Sequence, residues 1–247
     1  MSRLREAFDE RLDEVHAYLH FLEMMGAQAQ SGSPKFQDAV EAITPQQQKL
    51  LYASVYLQLY NLVEATMTSC IESVAHAMST DQRWTPHDLS DVLRKEWTRS
   101  TARTHVDLNY SKRLEAAMQV VDHLVASDPV SRFEIDRGGG GNWDDRSIQE
   151  MSARLGCDLV VSRDVHRAIK RPVRDDKGPL ALVKAMRNAL AHGNISFAES
   201  ADQVSVSELE SLAQAVIDYL DEVVNAFAAF VTRYGYLIPE RRPTGAS

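Results

Sequence analysis

Residues 44–78 read TPQQQKLLYASVYLQLYNLVEATMTSCIESVAHAM. Thr44 followed by Pro45 is a helix start: a hydroxyl cap, then a residue whose missing N–H costs nothing in the first turn. From there Leu50, Leu51, Val55, Leu57, Leu59, Leu62, Val63, Met67, Ile71 and Val74 put apolar side chains almost all round the helix. A helix that is apolar on every side belongs at the centre of a bundle. The stretch therefore predicts an all-α fold, a helical bundle with long central helices.

Outward from this centre the same 3.6-residue period recurs. Toward the N-terminus Leu4, Phe8, Leu12, Val15, Leu19, Leu22 and Met25 form one stripe with charges opposite it. Gly26 and Ser31-Gly32-Ser33-Pro34 end that helix. Toward the C-terminus Leu209, Leu212, Val216, Leu220, Val223, Phe227, Phe230 and Tyr234 are in register over 206–234. Another helix runs from Pro179 to His192-Gly193, Gly193 suiting a left-handed terminal position. Shorter helices are expected near 86–102 (from Pro86), 112–126 (capped by Ser111), 143–155 (ending at Gly156) and 164–170. Asp158 to Ser162 is the one candidate strand. Residues 127–141 read as a loop ending in Gly138–Gly141, which is no phosphate cradle because no Gly-Lys-Ser/Thr follows. The organisation expected is a single domain over 1–247: an N-terminal helix at 1–32, a bundle core at 45–235 and a frayed tail at 236–247.

Composition bounds the function. The 247 residues carry a net charge of −8, with 44% hydrophobic and 25% charged residues, which excludes global disorder. Two cysteines, Cys70 and Cys157, provide neither a disulfide framework nor a four-thiolate zinc site, so a reducing compartment is expected. The most apolar long stretch, Leu212 to Val231, contains Asp218, Asp221 and Glu222, so no membrane contact is expected. The N-terminus lacks the apolar core of a signal peptide, and a cytoplasmic location follows as the expectation.

Charge is polarised along the chain. Residues 163–187 hold eight cations (Arg163, Arg167, Lys170, Arg171, Arg174, Lys177, Lys184, Arg187) against Asp164, Asp175 and Asp176; 188–232 hold seven acids and no Lys or Arg. Such a patch can draw a polyanion to one place, although charge runs are also commonly plain solvated faces. Arg171, Arg174, Lys177 and Lys184 are the candidate contacts for such a polyanion. Arg94, Lys95, Arg99, Arg103, Lys112 and Arg113 form a second basic stretch. No helix-turn-helix spacing accompanies either, which disfavours a duplex DNA repressor.

The chemistry-bearing string is Arg187-Asn188-Ala189-Leu190-Ala191-His192-Gly193-Asn194. Arginine offers a planar, permanently charged fork suited to phosphate. Histidine titrates near neutrality and serves as acid or base. Residues five apart on a helix diverge by about 140°. The pair converges only if the helix end swings His192 round or if two copies share the site. The plainer reading is a helix C-terminus with cations against its dipole.

RNALAHGN resembles the R-x4–6-H signature of the HEPN superfamily (higher eukaryotes and prokaryotes nucleotide-binding domains). Leu59-Tyr60-Asn61-Leu62-Val63-Glu64 and Gly193-Asn194-Ile195-Ser196-Phe197 are similar to its bacterial MAE-type branch, the likeness spanning about 45–232. The resemblance implies a homodimeric, metal-independent endoribonuclease acting as a toxin or anti-phage effector, with a cognate antitoxin protein as a further partner. It implies a cleft across the dimer axis holding Arg187 and His192 of both subunits, with Asn188 beside the arginine and Glu64 on the facing helix. Two such histidines divide the removal of the 2′-hydroxyl proton and protonation of the leaving 5′-oxygen, while Arg187 counters charge on the phosphate. The rival is a non-catalytic HEPN-like interaction or nucleotide-binding module, since fold does not dictate function.

No cofactor is expected. His16 and His20, four apart with Asp13 and Glu23 near, have metal-ligand spacing but no further ligands, and Glu72 and His76 repeat it more weakly. Cys70 reads as a packed thiol, and Trp84, Trp97 and Trp143 as packing anchors.

Overall fold

A computed structural model describes residues 3–35, 41–104, 106–131, 134–137 and 142–243. Its helices are α1 (Arg3–Ser31), α2 (Pro45–Ser79), α3 (Asp91–Thr101), α4 (Tyr110–Ala126), α5 (Asp145–Leu155), α6 (Arg163–Lys170), α7 (Pro179–Ala191), α8 (Phe197–Ser200) and α9 (Val206–Thr232). The all-α expectation holds: among the described residues there is no β-ladder, only two isolated bridges. None of the described helices is long and apolar enough to cross a membrane.

Helix α2 begins with a reciprocal cap. Thr44 Oγ1 accepts from the Gln47 N–H at 3.2 Å, and the Gln47 side chain accepts from the Thr44 N–H at 2.8 Å. Helices α1, α7, α8 and α9 pack around it. Val55, Leu59, Leu62, Val63, Met67, Ile71 and Val74 are all buried. Each such side chain removed from water contributes about 1.5–3 kcal/mol. The first turn is less enclosed, with Leu50 exposed and Leu51 half-buried. Helix α9 buries Leu209, Leu212, Val216, Leu220, Val223 and Phe227 and stops at Thr232, two residues short of the expected end. Both cysteines are buried free thiols. Burial pushes both upward in pKa, Cys157 to about 12, so Cys70 is a packing residue.

Several local expectations are corrected. Helix α3 starts at Asp91, not near Pro86, because 85–90 is held by other partners. Asp88 Oδ2 accepts from the Thr85 N–H and hydroxyl, both at 2.9 Å. Leu89 bridges to Leu237, and the Ser90 N–H donates to the Tyr236 carbonyl at 2.9 Å. The tail is accordingly not frayed as far as Pro243. Tyr236 and Leu237 are buried, and Arg241 Nε lies 2.8 Å from Asp88 Oδ1. Residues 244–247 lie outside the described residues, as do Gly138–Gly141. Asp158 to Ser162 is not a strand. Leu159 and Val161 pack against the core, and the Ser162 N–H bonds the Glu222 carboxylate at 2.7 Å, with no neighbouring strand to pair with. Helix α8, unanticipated, is one turn closed by the Ser196/Glu199 capping box.

Helix α4 is capped by Asn109, whose side chain accepts from Lys112 N, rather than by Ser111. It packs on α3, with the His123 ring 5.1 Å from that of Trp97, and buries Ala116. Leu114, Met118, Val121, Leu124 and Val125 are exposed. With so little burial, α4 should open at a small fraction of the global unfolding free energy. Hydrogen exchange should show its amides losing protection at least about tenfold sooner than those of α2; equal protection would contradict this.

Candidate active site

Helix α7 is positioned at both ends. At its start Gly178 is the cap, and a Cβ there would sit 2.4 Å from the Ile169 carbonyl oxygen, so only glycine lets α7 approach α6 this closely. Pro179 follows at the first helical position. One face buries Leu180, Val183, Met186 and Leu190. At the other end the Gly193 N–H bonds Leu190 O at 3.2 Å and the Asn194 N–H bonds Ala189 O at 2.8 Å, with Gly193 at φ +68°. That is a complete Schellman termination. The sequence RNALAHGN is thus a helix end on which Arg187 and Asn188 are half-buried and His192 is exposed.

Arg187 leaves α7 toward α2. Its guanidinium carbon stands 4.4 Å over the Tyr60 ring centroid, Nη1 donates to Asn188 Oδ1 at 2.9 Å, and Nη2 lies 3.6 Å from Glu64 Oε2. Tyr60 and Glu64 are four apart on α2 and so share one face. The Arg187 side chain remains 29% exposed. Tyr60 provides a buried ring beneath the cation, an arrangement that holds the fork without saturating it.

The segment just before α5 clasps this arrangement. Asn142 Oδ1 accepts from Asn188 Nδ2 at 3.2 Å, and the Trp143 N–H donates to the Tyr60 hydroxyl at 3.3 Å. Asp144 Oδ2 accepts from Lys184 Nζ at 2.5 Å, Asp145 pairs with Lys170, and the Asp145 carbonyl accepts from the Tyr219 hydroxyl at 3.3 Å. Four consecutive residues thereby join α2, α6, α7 and α9. Buried Trp143 anchors them.

The sequence model of the HEPN_MAE_28990-like HEPN family matches residues 1–236. The chain belongs to that family. The match takes in α1 as well as the 45–232 region that carries the motif resemblance. No curated protein and no solved structure matches the chain.

Within this HEPN domain, Glu64, Arg187 and Asn188 come together, and Lys184 lies one turn before Arg187. His192 does not join them. Helix α7 stays regular through Ala191, and His192 caps it at φ −93°, ψ 0°. It lies about 140° round the axis from Arg187, one turn beyond Asn188. It is exposed, and its side chain makes no hydrogen bond or ion pair with any described residue. The other basic residues separate. Arg174 is turned inward, donating to Ser200 O at 3.0 Å and Met186 Sδ at 2.7 Å, with Tyr56 5.8 Å beneath it. Lys177 lies in the tight turn that precedes α7, 3.4 Å from Asp175 O. Arg171 is exposed at the end of α6. Sequence reasoning missed the site roles of Tyr60, Asn142 and Asp144. Asp144 had a local signal, being a capping residue three before Ser147; nothing local marked the other two. Among the described residues no group of three or more potential ligands gathers for a metal ion, and Glu72 instead pairs with Arg137 at 2.9 Å.

Asp144 has two roles, which a pH titration separates. It caps α5, accepting from the Ser147 N–H at 2.8 Å, and it holds Lys184. Burial raises its pKa, but Lys184 and the Ser147 amide and hydroxyl outweigh that and hold the carboxyl below its usual range. A depressed folded-state pKa contributes stability above the unfolded value of about 3.9, lost as pH falls through the folded value. Asp144→Asn keeps a capping oxygen and loses the charge. Urea midpoints should show it less stable than wild type by up to about 1 kcal/mol at pH 7, given partial exposure. The gap should close below about pH 4; a constant difference would contradict the charge role.

Proposed function

We propose that this HEPN protein is a metal-independent endoribonuclease, serving as a toxin or anti-phage effector whose cognate antitoxin masks or modifies it. HEPN domains are frequently ribonucleases. The observation that carries the reading is Arg187, held half-exposed over Tyr60 at the same helix end that leaves the His192 imidazole unengaged. Because those two groups diverge within one chain, a complete site needs two α7 ends facing each other across a twofold axis.

In such a cleft one His192 takes the 2′-hydroxyl proton as the oxygen attacks phosphorus. The P–O5′ bond breaks, the second His192 as imidazolium delivers a proton to O5′, and a 2′,3′-cyclic phosphate remains. Arg187 exchanges its 3.6 Å contact with Glu64 for the non-bridging oxygens, where negative charge grows in the transition state. Asn188 Oδ1, accepting from Nη1, and the Tyr60 ring beneath keep the guanidinium oriented. The test is incubation of wild type and His192→Ala with total RNA in EDTA, alongside an all-DNA analogue. Cleavage of RNA alone, lost in the variant, is expected; cleavage of the DNA, or equal cleavage by both proteins, overturns the reading.

One observation favours the rival, a non-catalytic interaction module. Arg187 already has Glu64, Asn188 and Tyr60 as partners in a single chain. Growth arrest on induction of wild type but not of Arg187→Ala separates the two.

A further inference from the structure

Helix α6 has two unlike faces. Ile169 is buried and Val165 half-buried where α6 packs on α7 and α9. The outward face carries Arg163, His166, Arg167, Lys170 and Arg171, and these five residues line a shallow groove of about 740 Å³. Their spacing of three, one, three and one keeps them within a single sector of the helix. The nearby acids engage only part of this row, two of its five residues. Asp164 lies 3.3 Å from Arg167, Asp145 pairs with Lys170, and Glu222 is engaged with the Ser162 N–H. The side chains of Arg163, His166 and Arg171 pair with no described residue.

From this, and resting on the ribonuclease reading, we infer that the outer face of α6 is the docking track for the phosphodiester backbone of a single-stranded RNA. From Arg163 to Lys170 the helix rises about 10 Å, room for two or three successive phosphates of a single strand, which stand farther apart than the 3.4 Å per strand of a stacked duplex. The track leads toward the candidate site through consecutive contacts. Lys170 meets Asp145, its neighbour Asp144 holds Lys184, and Lys184 stands one turn before Arg187. Of the basic residues at 163–187, Arg174 and Lys177 are half-buried and held by backbone carbonyls of their own chain, whereas all four cations of α6 are exposed along one groove, two of them with an acidic partner. A membrane surface fits less well, because the apolar face of α6 is turned into the core.

The experiment measures binding of a fluorescein-labelled, uncleavable 2′-O-methyl RNA 20-mer by anisotropy between 50 and 200 mM salt. The triple variant Arg163→Gln/Arg167→Gln/Arg171→Gln should bind at least about tenfold more weakly, and its log-log salt slope should flatten by about 2, some 0.7 for each phosphate contact on a single strand. Lys95→Gln/Arg103→Gln/Lys112→Gln changes net charge equally and should leave the slope as in wild type. Equal losses in both triples, no binding by wild type, or a loss seen only on phosphatidylserine vesicles overturns the inference. The same proteins on unmodified RNA separate the two readings. Binding that depends on the α6 arginines without cleavage removes the nuclease and keeps the track, whereas cleavage with oligonucleotide binding unchanged in the triple variant does the reverse.

Discussion

Alanine at His192 should lower RNA cleavage by about 10²- to 10⁴-fold, the range for removing a general acid or base. In a symmetric cleft the loss falls at the upper end, because one substitution removes both the base and the acid. Structure should be untouched: His192 is exposed and contributes to the helix end only its backbone N–H, 3.1 Å from Asn188 O. A thermal midpoint within about 1 °C of wild type therefore accompanies the loss, as for surface changes that remove no contact. Arg187 offers a graded comparison. Arg187→Ala removes charge and fork together, and Arg187→Lys restores a charge without the bidentate geometry. If phosphate is gripped through the fork, the lysine variant stays nearly as slow as the alanine variant. Full activity in Arg187→Lys would mean that only net charge matters there.

The long elements could be read from the sequence because local and global signals agree in them. Thr44-Pro45, the all-round apolar run of α2 and the stripe of α9 each describe an element whose burial depends on its own period. RNALAHGN was legible for the same reason, since the glycine that ends α7 is itself part of the Schellman geometry. The clasp at 142–145 was not. Asn142 and Trp143 meet residues 46 and 83 positions away, and no periodicity records such a contact. Tyr60 escaped because it looks like one more apolar position in a buried helix; its use beneath Arg187 is visible only once α7 is laid beside it. The alternation at 158–162 misled because extended backbone docked by Leu159 and Val161 has the pattern of a strand without a partner strand. Charge counting along 163–187 likewise could not separate Arg174, turned inward to a carbonyl and a sulfur, from Arg171 on the open face of α6.

Tyr60 is where the core and the candidate site are one residue, so its substitutions should split stability from activity. The ring is 1% exposed, and its hydroxyl accepts from the buried Trp143 N–H at 3.3 Å. Tyr60→Ala should cost about 3–5 kcal/mol, as large-to-small changes at buried aromatic positions do, and should uncouple the 142–145 clasp from α2. Tyr60→Phe keeps the ring and leaves the Trp143 N–H without its acceptor, for about 1 kcal/mol. Arg187 retains its platform there, so RNA cleavage should remain within a few-fold of wild type. Tyr60→Leu is the decisive variant. It fills most of the same volume but offers no π-face, and among the described residues Arg187 is then held by Asn188 and the 3.6 Å Glu64 contact. The cation–π contribution at a half-exposed site is about 0.5–1 kcal/mol. Losing it lets the guanidinium wander, and misplacement of a group that acts in the transition state lowers rate more than it lowers stability. Urea midpoints and cleavage rates measured on the three variants should therefore rank differently: Phe above Leu above Ala in stability, but Phe alone near wild type in rate. A leucine variant that cleaves RNA as fast as wild type would show that Arg187 needs no ring beneath it.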